Sequence, residues 1–228
     1  MIPPLIVRTA LEQDIDLIAI TDHNTSANVK AVQKAAEGTR LSVLPGMELQ
    51  TKEEIHLLCI FDRMDDLQKW QEIVDKNLPE RENMPDYFGE QFIVDESGDF
   101  LDREKRLLIN SAQISLDESV AEIHRLGGLA IPAHVNRQAF GLFANLGMIP
   151  QDVPIDAIEI SRHITPTQAC AQFPQIENYA LIQNGDVHFL SDFLGSSYFW
   201  IESPSLEEIR LALHAELNRK IEIRTDQN

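Results

Sequence analysis

The chain has 228 residues and 43% apolar content, enough to bury a substantial core in one large domain. Lys plus Arg number 19 against 37 Asp plus Glu, a formal net charge of −18, and that field opposes phosphates; the expectation is a small anionic partner and no nucleic-acid polymer. Cys59 and Cys170 fit no zinc or redox spacing, no apolar run approaches 18 residues, and the start lacks a leader's cationic region, so a reduced, soluble, cytoplasmic protein with no membrane partner is expected.

Residues 4–13 predict a helix with proline in its first turn. Residues 16–21, DLIAIT, read as a buried strand that stops at Asp22-His23-Asn24. A helix over 28–38 ends at Gly38, and strands follow at 41–46 and 55–61. The segment 65–77 places Leu67, Trp70, Ile73 and Val74 on one helical face. Residues 79–114 break this rhythm and read as an insertion of lid type, with a hairpin over 92–101 turning at Ser97-Gly98. The alternation resumes with a helix at 115–128, opened by a capping box of Ser115 and Glu118. Strands are predicted at 129–133, 156–161, 180–186 and 198–203, a capped helix at 205–217 and a last strand at 220–225.

Short buried strands separated by helices argue for an α/β fold with a parallel sheet, doubly wound or closed as a barrel. One domain is expected over 1–228, with the insertion at 79–114 and a C-terminal helix and strand over 205–228. In either architecture functional residues gather at the C-terminal ends of the strands. Asp22 and His23 follow one predicted strand, Glu48 another, His134 a third, and Asp186 with His188 a fourth; His56 departs from the rule because it leads its strand.

Each of these residues has a structural reading taken alone. Asp22-His23-Asn24 suits a turn and helix cap, Glu48 can pair with Lys52, and a histidine at a strand end is commonly a hydrogen-bonded structural group. Their joint occurrence points to metal. Neutral imidazole suits zinc, manganese or iron, a carboxylate can bridge two such ions, and a bound ion makes hydroxide available near neutral pH. Cations held in one cleft also offset the repulsion between an anionic substrate and an acidic chain. His124 and His214 read as surface or boundary residues, and His163 stays outside the set. Arg137 is either a bidentate phosphate donor or a surface loop arginine. No glycine-rich phosphate loop or nucleophile elbow is present.

The segments ITDHN, PGMEL, EEIHLL, IPAHVNR and GDVH occur in that order and resemble motifs of the PHP family (polymerase and histidinol phosphatase domains), along residues 1 to about 217. The resemblance implies a distorted (β/α)7 barrel that hydrolyses phosphoesters of small metabolites or nucleotides with up to three divalent ions. Glu48 would bridge two ions, His56 and His134 would complete the second site, Asp186 would serve the first, and His23 with His188 the third. Asp22 would orient its neighbours, and Arg137 would steady the phosphate. The family pattern opens with a strand bearing His-x-His, whereas this chain starts at Met1-Ile2-Pro3-Pro4, where the first helix would begin. The resemblance therefore implies a barrel without its first strand, two sites short of ligands, and strand edges open to pairing between copies. Truncation of an enzyme sequence is the favoured explanation; a non-catalytic scaffold or regulatory module with one metal is the alternative. Some PHP proteins process nucleic acid, but the charge of −18 argues against long polymers here.

Overall fold

The computed structural model describes residues 1–224. Helix α1 (Pro3–Glu12) starts on its prolines, whose missing N–H and fixed φ suit a first turn. Strand β1 (Leu17–Ile20), helix α2 (Val29–Ala36), strands β2 (Ser42–Gln50) and β3 (His56–Ile60) and helix α3 (Met64–Asn77) follow. The segment beyond holds a short helix, α4 (Pro85–Phe88), and a hairpin of β4 (Phe92–Val94) and β5 (Phe100–Arg103). Helix α5 (Leu116–Arg125) opens with the reciprocal Ser115–Glu118 capping box that its sequence predicts. Then come β6 (Leu129–Pro132), α6 (Leu142–Leu146), β7 (Ile158–Ile160), α7 (Pro166–Gln172), β8 (Leu181–Gln183), β9 (Ser197–Trp200), α8 (Leu206–Leu213) and β10 (Lys220–Ile223). Thr225, the end of the last predicted strand, lies outside the described residues.

The fold is mixed α/β, and the expectation of a parallel sheet needs correction. In the four-stranded sheet, ordered β1-β2-β3-β6, β1 and β2 run parallel, but β3 runs antiparallel to both its neighbours. The reason is local: β2 and β3 are joined by only five residues, with Glu54 in the left-handed region at φ 61°, and so short a link makes a hairpin and not a crossover. Parallel pairing returns in β7–β8, which sits against β6 through Asp156 N–H to Ala130 O (3.0 Å) and Val135 N–H to Glu159 O (3.0 Å). The strand pairings of the described residues form one four-stranded and three two-stranded sheets and do not close a barrel.

Two apolar clusters hold these layers. The larger packs α1, α2, α3 and α5 over the sheet through Val7, Val32, Trp70, Val74, Val120 and Ile123. The smaller lies on the opposite face, where Leu44, Leu58, Ile131 and Ile182 meet Leu206, Ile209 and Leu213 of α8. Gly46 sets how closely β1 and β2 approach, since a Cβ there would lie 2.8 Å from Thr21 Cγ2 and 2.9 Å from Ile20 O. No helix among the described residues is long and apolar enough to cross a membrane.

Candidate metal centre

Pairing between β1 and β2 continues past the end of β1. His23 bridges Glu48 in parallel, with Glu48 N–H to Asp22 O (3.2 Å) and Asn24 N–H to Glu48 O (2.9 Å). This brings the Asp22-His23 turn beside Glu48. His56 fits the same end of the sheet for the reason given above: β3 is reversed, so its first residue lies beside the last residues of its neighbours. His134 follows β6 with φ 30°, and Asp186 follows β8 with φ 48°. Left-handed backbone at two non-glycine residues persists only where surroundings hold it, and both lie at this one spot.

Glu48 is the hub. Its Oε1 lies 3.0 Å from His56 Nδ1 and 3.4 Å from His134 Nε2, and its Oε2 lies 3.5 Å from His23 Nδ1. The His56 and His134 rings also face each other, Nδ1 to Nε2, at 3.3 Å. Two groups of three ligand atoms result, each within 4.8 Å: His23, Glu48 and His56, and Glu48, His134 and Asp186. Burial opposes ionisation of Glu48, but the hydrogen bonds from His134 and His56 outweigh it and hold its carboxyl well below the usual range. Burial lowers the pKa of His23, with Glu48 pulling the other way, which favours the neutral imidazole that a metal ion needs. Phe140 stacks on His56 at 4.5 Å and 2° and fixes the ring plane.

These residues fit a divalent ion. Among the described residues the Nδ1 atoms of His23 and His134 are buried without a hydrogen-bond partner, three imidazoles converge on one carboxylate, and ring nitrogens of His56 and His134 face each other. Such a donor set is costly without a shared cation and suits zinc, manganese or iron. His188 lies apart from both groups: it is 57% exposed, with its Nδ1 3.0 Å from Asp186 O and its ring 6.0 Å from that of His23. Asp22 is exposed on the wall of the adjoining cavity, and its carbonyl holds Glu48. Arg137 pairs with Asp186. His124 ties α5 to the segment before β7 through Asp156 (2.8 Å), and His214 ends α8.

Sequence reasoning missed Glu159, which is 4% exposed and takes His134 N–H on Oε2 (2.9 Å) and Asn184 Nδ2 on Oε1 (2.9 Å). One carboxylate thus braces the His134 and Asp186 turns. The available signal was an acid in the middle of the apolar strand DAIEIS. Burial pushes Glu159 up to about 7, so folding favours its protonated form. Its contribution to stability is complete below the ordinary carboxylate range and is lost as pH rises through about 7, a change on the order of 3 kcal/mol. His23 acts oppositely over the same range. Denaturant titrations of the metal-free protein should therefore show that Glu159→Gln raises the slope of stability against pH between about 5 and 7 relative to wild type. Superimposable slopes would refute this.

The centre opens on a cavity of about 750 Å³ whose apolar wall is Leu17, Ala19, Leu44, Leu58, Ile131 and Ile182. A second cavity of about 390 Å³, lined by polar side chains, meets the centre from the side of Asp186.

No family model and no curated protein matches the sequence. Among solved structures, the lesion-specific endonuclease from Pyrococcus furiosus aligns with 97% of this chain and 53% of its own, at 18% identity and TM-score 0.73. Endonuclease Q in complex with a 27-mer duplex substrate, an abasic lesion at its active site, aligns over 95% of this chain and 52% of its own, at 18% identity and TM-score 0.66. A candidate metal-dependent phosphoesterase from Bifidobacterium adolescentis covers 82% of each chain at 16% identity and TM-score 0.54. The chain thus spans about half the length of the endonucleases it matches. At these identities the likeness shows the fold alone, a PHP-like α/β fold as the motifs implied, while the barrel they also implied is not closed by the strand pairings of the described residues.

The expectation that net charge excludes a nucleic-acid polymer is overturned, because a protein of this fold takes a DNA duplex at its active site. Net charge sums over the whole surface, whereas phosphate binding depends on groups within about 8 Å, the screening length at physiological salt. Carboxylates remote from the centre contribute little to that local balance.

Proposed function

We propose that this chain, which has the PHP-like fold, is a metal-dependent phosphoesterase. The observation that carries the reading is one buried carboxylate, Glu48, shared by His23, His56 and His134, with Asp186 closing a second ligand group. Glu48 would bridge two ions, one held with His23 and His56 and the other with His134 and Asp186. This divides the ligands differently from the roles implied by the motif resemblance, and it leaves His188 at the rim. When bound, such ions supply Lewis acidity and a lowered water pKa, which suit hydrolysis of a phosphoester.

The chain's own residues supply the rest. Arg137, beside Asp186, presents a planar guanidinium to a non-bridging phosphate oxygen. Glu159 keeps the His134 and Asp186 turns in place. His188 stands exposed next to Asp186, where it can give a proton to the leaving oxygen. The larger cavity adjoins the site with an apolar wall on one side.

A non-catalytic scaffold is the second reading, favoured by the rim position of His188, which leaves each ligand group with three residues, one of them shared. The two divide on one experiment, metal analysis of purified protein followed by assays with p-nitrophenyl phosphate and bis(p-nitrophenyl) phosphate after manganese addition. The enzyme reading expects at least one equivalent of bound metal and hydrolysis of at least one ester. Metal uptake without turnover of either would leave the scaffold, and no uptake would overturn both.

A further inference from the structure

We infer that the smaller cavity binds a second phosphate of the substrate, the one next to the scissile phosphate on a phosphodiester strand. This rests on the phosphoesterase reading and extends it to a substrate class. The cavity shares His134, Glu159 and Asp186 with the metal centre, so a group placed in it lies next to the reacting ester. Two arginines reach it from separate segments, Arg137 after β6 and Arg162 after β7, in a chain with only 19 cationic residues against 37 acidic ones.

Both guanidinium groups have donors to spare. Arg137 meets Asp186 through one nitrogen, Nη1, of a fork with five N–H donors. Arg162 touches Asp192 only at long range, 3.3 Å to its carbonyl and 3.4 Å to its carboxylate. That carboxylate has other donors, Phe189 N–H at 2.8 Å and His188 N–H at 3.3 Å, so Arg162 can turn to an anion without stranding it. His163 and Ser161 add donors on the same wall. Arg137 stands beside Asp186 of the ligand groups, whereas Arg162 stands beside Asp192 outside them, which suits it to a phosphate other than the one at the metal centre. Because the acidic surface repels polyanions at range, a phosphodiester strand would need such local cations to be held.

The test is fluorescence anisotropy of a short labelled oligothymidylate with manganese-loaded protein, over a range of salt. Arg162→Ala and Arg137→Ala should each weaken binding about tenfold. Each should also reduce the slope of log affinity against log salt by about one. Arg162→Lys should keep that slope. Arg125→Ala, which removes an exposed arginine paired with Glu122 on its own helix, is the control and should match wild type. The inference is overturned if wild type does not bind, or if the two cavity variants bind as it does. If binding depends on both arginines and yet no phosphoester is hydrolysed, the phosphoesterase reading fails while the phosphate site stands.

Discussion

Replacing Glu48 with glutamine is expected to weaken divalent-metal binding by at least about 100-fold. The amide has nearly the same shape, so the buried cluster keeps its volume, but it loses the charge and one of two acceptor oxygens. Its NH2 would point its protons at His23 or at His56 and His134, whose nitrogens lie 3.0–3.5 Å from the two carboxylate oxygens. Competition with a chelating dye reads the effect directly, and His214→Ala, at the far end of α8, should leave affinity unchanged. Equal losses in the two variants, or none in Glu48→Gln, would mean the ligand assignment is wrong. The pH dependence of wild-type binding carries a second check. Glu48 is held ionised well below the usual carboxylate range, so the fall of affinity with acid should begin in the histidine range, and protonation of Glu48 itself should add nothing to it there. Burial of His23 places its own share of that fall at lower pH than a free imidazole would give.

Much of this cluster could be read from the chain because its candidate ligands sit at strand ends, and strand ends are marked by the change from apolar to polar residues. LIAIT before Asp22-His23 and LAIPA before His134 are of this kind. His56 departs from the pattern only if every strand runs the same way; the five-residue link before β3 reverses the strand and restores the pattern. Glu159 stayed hidden because its neighbours are apolar and its partners, His134 and Asn184, are each 25 residues away. Helices α6 and α7 were missed because five and seven residues hold too little periodicity to register. The error over nucleic acid had a different origin, since a total charge carries no positions, and Arg137 and Arg162 converge only in the fold.

The largest effect on stability is expected at a residue that sequence reasoning treated as a cap. Asn24 is fully buried at φ 52°, and its side chain joins three segments. Nδ2 donates to Leu108 O (2.7 Å) and Asn110 O (2.8 Å), and Oδ1 accepts from Gln50 N–H (3.0 Å). Asn24→Ala leaves three backbone groups short of a partner and should cost about 3 kcal/mol or more, read from denaturant midpoints. Asn24→Gly separates the causes, because glycine accepts the left-handed backbone without strain while losing the same hydrogen bonds. If Asn24→Gly proved as stable as wild type, these bonds would contribute nothing. The consequence should reach beyond stability. Asn24 also fixes the β1 end to Glu48 through its own N–H, one residue from His23. Loosening it should therefore lower metal affinity, though less than Glu48→Gln does, and should speed amide exchange first at 108–110. That ordering follows from geometry: Glu48 touches every imidazole of the centre, whereas Asn24 positions only the strand end that carries one of them.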